Sequence, residues 1–186
     1  KTIGELAIQF QQEAFPDVEL HVLPMEGWER TMWWDETGLP WVLPSPNMPT
    51  LDTAVVYPGM CLFEGCNVSE GRGTTRPFEI FGAPWINAPA LVDSLDALQL
   101  PGVHFRSLSF EPTFQKHAHQ ICQGAQIHVS DRQAYRPVHS GIRILQTIQD
   151  LYPEHFAWNP PPYEYEEEKL PIEILIGRPL AEENRL

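Results

Sequence analysis

Pro44-Ser45-Pro46-Asn47-Met48-Pro49-Thr50 and Glu64-Gly65-Cys66-Asn67-Val68-Ser69-Glu70-Gly71-Arg72-Gly73-Thr74-Thr75 lie within residues 44–84, the part around which the rest of the chain is organised. Gly65, Gly71 and Gly73 permit positive φ and close approach of another molecule. Glu64, Asn67, Ser69, Glu70, Arg72, Thr74 and Thr75 crowd donors and acceptors into twelve positions. The stretch follows neither the helical nor the strand period, so it reads as a shaped loop held on a core of Phe, Trp and Pro, the usual setting for a site. The plain alternative is a glycine-rich turn without a ligand. No Gly-Lys-Ser/Thr follows and no G-x-G-x-x-G opens a helix, which disfavours phosphate binding.

The chain has 186 residues, enough for one domain with a proper core. A hydrophobic fraction of 42% and six Trp point to a folded globule, while 19 Pro interrupt regular structure often. The formal charge of −13 sets up a field that repels nucleic acid and anionic membrane surfaces, and no Lys/Arg cluster offsets it. An anionic ligand therefore needs a local device, such as Arg72 with backbone N–H groups. Cys61, Cys66 and Cys122 are too few and too irregular for a disulfide framework and read as free, buried thiols. No apolar run reaches membrane-spanning length and residues 1–20 lack a signal-peptide pattern.

Outward from the loop, Thr2-Ile3-Gly4-Glu5 has the spacing of a capping box, and Ile3, Leu6, Ala7, Phe10 and Ala14 recur at the helical period. A helix is expected from there to the break at Pro16, and its start at the second residue suggests that something once preceded it. Val18 to Leu23 reads as a strand ended by Pro24. Trp28, Trp33, Trp34 and Trp41, interleaved with Arg30, Asp35 and Glu36, suit either a ligand-stacking wall or a seal over the core. Asn87 to Leu98 is a helix with Asn87 as cap and Pro89 in the first turn. Val103 to Phe110 and Ala125 to Val129 are strands, and Ser140 to Tyr152 is a helix with Ile142, Leu145 and Ile148 facing inward. Pro160-Pro161-Pro162 is a stiff connector, Glu164 to Glu168 a solvated acidic run, and Ile172 to Ile176 a last strand. Helices and strands mix without a βαβ rhythm, so the class is α+β, with mixed α/β as the variant, in a single compact domain with long irregular loops.

Among residues able to carry chemistry, Glu64 and Glu70 form a carboxylate pair of the type glycoside hydrolysis uses, one protonated and one ionised; the alternative is that each anchors its own loop. Lys116, His117, His119 and Cys122 lack a fourth ligand at metal-site spacing, and no metal or cofactor is expected. His128 sits in a strand with Asp131 and Arg132 just beyond, placed either to reach the central loop or to serve as a core histidine. No Gly-x-Ser-x-Gly elbow is present, and neither Cys61 nor Cys66 has a basic neighbour in sequence to lower its pKa.

Read together, the quoted loop segments, Thr2-Ile3-Gly4-Glu5-Leu6-Ala7, Gly38-Leu39-Pro40-Trp41-Val42, Pro77-Phe78-Glu79, Gly82-Ala83-Pro84-Trp85, Phe110-Glu111-Pro112, Lys116, Cys122, Gly124, Ile127-His128-Val129 and Asp131 make the chain similar to the NamZ family of peptidoglycan exo-β-N-acetylmuramidases. The resemblance covers nearly the whole chain. It implies a two-domain enzyme in which a Rossmann-like N-terminal domain and a smaller C-terminal domain enclose a cleft that removes N-acetylmuramic acid from the non-reducing ends of peptidoglycan fragments. It assigns residues 1–186 to the second, C-terminal-type domain. The Rossmann-like domain, with its glutamate in a Pro-Glu-His-Gly run, then lies outside this chain as an expected partner, and the setting is periplasmic or secreted. Glu64 and Glu70 are the catalytic candidates within the chain, and Asn47, Asn67, Ser69, Arg72, Thr74, Lys116 and His128 the substrate-binding ones. Arg72 is matched to the lactyl carboxylate of the sugar. Two residues depart from the family pattern: Cys66 stands in place of Thr, and His119 in place of Gly. The competing reading is a non-catalytic saccharide-binding or interaction domain.

Overall fold

The computed structural model describes residues 1–180 and Leu186, in two units, Lys1–Pro40 and Trp41–Leu186. In the first, helix α1 spans Ile3–Ala14 and starts at the expected capping box: Glu5 N donates to Thr2 Oγ1 at 3.1 Å and Thr2 N to Glu5 Oε2 at 2.8 Å. Its apolar residues Ile3, Leu6 and Phe10 are exposed. The strand expected at Val18 to Leu23 does not form; a strand exists by its ladder, and the described residues of this unit supply no second strand to pair with it. A 3₁₀ turn at Trp34–Thr37 follows, and Met25, Trp28, Met32, Trp33, Trp34 and Leu39 help line a cavity of about 580 Å³.

The second unit is α+β. Helix α2, Leu51–Met60, opens on the Thr50 cap and buries Thr53, Val55, Val56, Gly59 and Met60. The sequence reading placed this segment in the central loop, because Pro58 removes a helical N–H and burial on several sides erases the polar/apolar period. A 3₁₀ turn at Cys61–Gly65 continues it. Strand β1, Ile80–Ala83, also lay hidden in the loop region; all four residues are buried, so it lacks the alternation of a half-exposed strand. Helix α3, Ala88–Ala97, has Asn87 as cap as expected, and β2, Val103–Phe110, has the expected bounds. Strand β3, Cys122–Val129, begins earlier than Ala125.

The sheet order is β1-β3-β2, antiparallel throughout, with Gly82 opposite Gly124 and Phe105 opposite Ile127. A Cβ on Gly124 would lie 1.8 Å from Phe81 O, so only glycine admits the close β1–β3 approach. Helix α3 packs on β2 and β3, and α4, Pro137–Leu151, packs on α2 and α3. Ile144, Leu145 and Ile148 are fully buried, whereas Ile142 is only partly so, a rotation of the expected face. The α2–α4 crossing is glycine on glycine: a Cβ on Gly141 would sit 2.4 Å from Gly59 O, and one on Gly59 2.0 Å from Pro137 O. The last apolar segment is not a strand but helix α5, Pro171–Ile176. Pro171 at the first turn, Glu173 accepting from Leu170 N at 3.3 Å and Gly177 in the left-handed region outweigh the β-branched composition. No described helix is long and apolar enough to cross a membrane.

Candidate functional site

The site grows from the end of α2. The 3₁₀ turn swings Glu64 out of the core between buried Phe63 and Gly65, and the chain then lies against β1 through the Ser69–Gly82 bridge. Gly73 turns it at φ +82°, where its carbonyl receives both Thr113 N and Thr113 Oγ1 at 2.9 Å. A side chain there would strike the Phe114 backbone at 2.7 Å, so Gly73 is what lets loops 61–78 and 112–118 close on each other.

These loops assemble a line of alternating charges. Arg72 Nη2 donates to Glu64 Oε1 at 2.8 Å, Arg72 Nε lies 3.7 Å from Glu70 Oε1, and Lys116 Nζ donates to Glu70 Oε2 at 2.8 Å. The guanidinium also stands 5.2 Å over the Phe78 ring, itself met edge-on by Tyr57 at 4.9 Å. Exposure separates the members: the side chain of Arg72 is 26% exposed and that of Glu64 13%, but that of Glu70 only 2%. Glu70 is thus the covered anchor of the line, and Glu64 and Arg72 are its reachable end. Tyr163, from the Pro-rich segment read as a plain connector, donates its hydroxyl to Glu64 Oε2 at 2.8 Å.

The groups around Glu64 keep their protons. Burial pushes the Tyr163 hydroxyl up, as do its hydrogen bond to Glu64 and the nearby carboxylate charge. Tyr57 and Cys61 move the same way, by burial first and the Glu64 charge second. Neutral O–H groups and a thiol thus accompany one carboxylate and one guanidinium, a set able to accept from and donate to sugar hydroxyls.

Several sequence candidates serve the loop's shape. Asn67 clamps residues 155–157, donating from Nδ2 to His155 O at 2.8 Å and accepting from Ala157 N at 3.0 Å. Ser69 Oγ accepts from Gly71 N at 3.2 Å, and Thr74 Oγ1 donates to Gly71 O at 2.6 Å. The three N–H bonds of Lys116 go to Glu70, Phe63 O at 2.6 Å and Val68 O at 3.2 Å. Asn47 stands in the separate Ser45–Met48 turn. His128 is exposed on β3 and lines a different cavity, of about 290 Å³, with Asp52, Arg76, Glu79 and Arg132. Glu79, missed in the sequence, is a second buried carboxylate, bonded by Thr53 Oγ1 at 2.6 Å and Arg76 Nη1 at 2.9 Å.

The two residues expected to depart from the resemblance, Cys66 and His119, have distinct local settings. The Cys66 thiol, pushed up to about 11 by burial, stays protonated and donates to Phe63 O at 3.3 Å, a bond a Thr hydroxyl could also make. His119 adopts φ +61°, the region that favours glycine, and Gln115 and His117 are also left-handed.

Comparison with known proteins divides the chain at residues 52–55, within α2, rather than between Pro40 and Trp41. Residues 55–184 match the family model described as exo-beta-N-acetylmuramidase NamZ, C-terminal, and residues 1–52 the corresponding N-terminal model, where the sequence reading gave all of 1–186 to a C-terminal-type domain. A peptidoglycan beta-N-acetylmuramidase NamZ of Bacillus subtilis (strain 168) is 52% identical over 157 residues, which are 84% of this chain and 38% of that protein. The crystal structure of a DUF1343 family protein from Bacteroides fragilis aligns with a TM-score of 0.74 at 34% identity, over 81% of this chain and 40% of that one. A second DUF1343 family protein from that organism gives 0.42 at 20% identity, over 73% of this chain and 33% of the other. The chain therefore spans two fifths or less of the length of these relatives.

Proposed function

The chain belongs to the NamZ family, and from that premise we propose that it supplies the substrate-cleft domain of a glycoside hydrolase that removes N-acetylmuramic acid from the non-reducing ends of peptidoglycan fragments. The observation that carries this reading is the half-buried Glu64–Arg72 pair at the end of a covered charge line. One guanidinium N–H is committed to Glu64 and the buried Nε faces Glu70, which leaves the remaining Nη donors for the lactyl carboxylate that distinguishes muramic acid from N-acetylglucosamine. Glu64 accepts from a ring hydroxyl, while the Glu70 charge, itself held by Lys116, attracts Arg72 from 3.7 Å.

Glycoside hydrolysis uses two carboxyl groups, one donating a proton to the leaving oxygen and one stabilising or attacking the anomeric carbon. Glu70 is covered and held by Lys116, which leaves Glu64 as the carboxylate of this cluster that can meet the sugar. In this proposal the second carboxyl group comes from a Rossmann-like N-terminal domain, where the resemblance locates the Pro-Glu-His-Gly glutamate. The ion pairing of both local glutamates favours the alternative of a saccharide-binding domain whose chemistry is done elsewhere.

The test is to incubate the chain, alone and mixed with a separately prepared NamZ N-terminal domain, with a disaccharide ending in non-reducing N-acetylmuramic acid. Release on mixing supports the cleft-domain reading, and release by the chain alone would place a sufficient catalytic set within it. Binding without release in either case leaves the saccharide-binding reading, and no binding by folded protein refutes both. Arg72→Ala is expected to weaken muramic-acid ligands far more than N-acetylglucosamine; equal weakening, measured by calorimetry, counts against Arg72 as the carboxylate grip.

A further inference from the structure

We propose that Tyr163 is a positioning residue for Glu64, and that the segment from Trp158 to Glu166 is a strap built to hold that one residue by both its backbone and its carboxylate. The inference rests on the reading of Glu64 as the ligand-facing carboxylate. At the carboxylate, the two oxygens have separate donors: Arg72 Nη2 on Oε1 and Tyr163 Oη on Oε2, both at 2.8 Å. A carboxylate gripped at each oxygen from different directions is held in one rotamer, since turning it costs both charge-assisted bonds. At the backbone, Asn159 Nδ2 donates to Glu64 O at 2.8 Å and Asn159 N to Gly65 O at 2.8 Å. The same short segment thus fixes main chain and side chain together.

The strap is made to keep that span constant. Pro160, Pro161 and Pro162 lie between the two grips and lock φ, so little conformational freedom remains to be lost when both engage. Beyond them Tyr163 and Glu166 exchange backbone hydrogen bonds at 2.9 and 3.0 Å, closing a tight turn that aims the phenol back. On the near side Trp158 pairs with Cys66, and on the far side Ile172 of α5 packs so closely on Gly65 that a Cβ there would sit 2.9 Å from the Ile172 backbone. Burial and the Glu64 charge keep the Tyr163 hydroxyl protonated, so it remains a donor across neutral pH.

The test uses the 186-residue chain with [¹³Cδ]glutamate labelling, the Glu64 carboxyl signal being identified by its loss in Glu64→Gln. Tyr163→Phe is expected to move that signal while the melting temperature changes by no more than a few degrees. It should also weaken binding of the non-reducing N-acetylmuramic acid disaccharide about tenfold, the scale of one charge-assisted bond. In the Glu64→Gln background Tyr163→Phe should cause no further loss of affinity. An unmoved carboxyl signal overturns the proposal. So does an equal tenfold loss in the Glu64→Gln background, which would mean that the phenol touches sugar itself. If the unmutated chain binds no sugar, the carboxyl signal alone decides the positioning role, and it is the proposed function that fails.

Discussion

Lys116→Met tests whether the covered half of the charge line holds the site together. The Lys116 ammonium has three N–H groups and three acceptors, Glu70 Oε2, Phe63 O and Val68 O, at 2.8, 2.6 and 3.2 Å. Methionine fills most of the volume and removes that donor from Glu70 Oε2 and Val68 O, while Phe63 O keeps its bonds from Cys66 N and Sγ. The nearest other cation for Glu70 is Arg72, whose Nε at 3.7 Å is beyond hydrogen-bonding distance, and the Glu70 side chain is only 2% exposed. Removing one partner of a buried pair costs about 3–5 kcal/mol. The Lys116 side chain is 20% exposed, so some water can replace it and the lower end, about 3 kcal/mol, applies. For a domain of this size that lowers the melting temperature by about 6–12 °C. Glu70→Gln keeps an acceptor for Lys116 and should cost about 1–2 kcal/mol, and the double variant should fall short of the sum by at least about 1 kcal/mol. Urea denaturation followed by tryptophan fluorescence reads all three. A loss below about 1 kcal/mol for Lys116→Met, typical of a surface pair, or strict additivity in the double variant would refute the reasoning.

Three further outcomes are expected. His119→Gly should stabilise the fold by about 0.5–1 kcal/mol in the same denaturation assay, because glycine removes the left-handed strain at φ +61° and keeps the His119 N bond to Pro112 O; a loss of stability would count against strain there. Gly124→Ala should cost more than about 3 kcal/mol, since its Cβ would meet Phe81 O; near-native stability by circular dichroism melting would show that β1 can move aside. Stability should fall as pH rises from about 9 to about 11, because burial raises the Cys66 and Cys122 thiols from 9.0 to about 11 and the unfolded chain then gives up these protons first. The folded-state advantage is full below pH 9, and a Cys66→Ala, Cys122→Ala double variant should show a flatter curve in that window.

The elements legible in the sequence were those whose signals are local. Thr2 and Glu5 sit at capping-box spacing, Asn87 and Pro89 mark a helix start, and β2 alternates on each side of a phase shift at Arg106-Ser107. What was hidden depends on tertiary surroundings. Helix α2 is buried too widely to show a period and carries Pro58, and the short run Ile172 to Ile176 has a composition that fits strand or helix until Glu173 is seen to cap it. The site divides the same way. The polar loop announced Glu64, Glu70 and Arg72 as neighbours, but not which one is covered, since Lys116 arrives from another loop. Tyr163 is 99 residues from Glu64, and a phenol after three prolines gives no local sign of its target. That Asn67, Ser69 and Thr74 fasten the loop was not legible, because the residue types that bind sugars are also those that fasten loops.

The glycine-on-glycine crossing of α2 and α4 gives helix α4 a say in the geometry of the cluster. With Gly59 and Gly141 backbones in direct contact, α2 cannot come closer to α4 or slide along it without collision, and its C-terminal end runs straight into the turn that carries Glu64. A single methyl added at Gly141, with no polar atom altered and no residue of the loop touched, would be transmitted as a shift in where Glu64 is delivered. Variation at this crossing, far in sequence from the polar loop, would therefore alter the geometry of the Glu64–Arg72 pair, and a survey confined to the loop itself would overlook it.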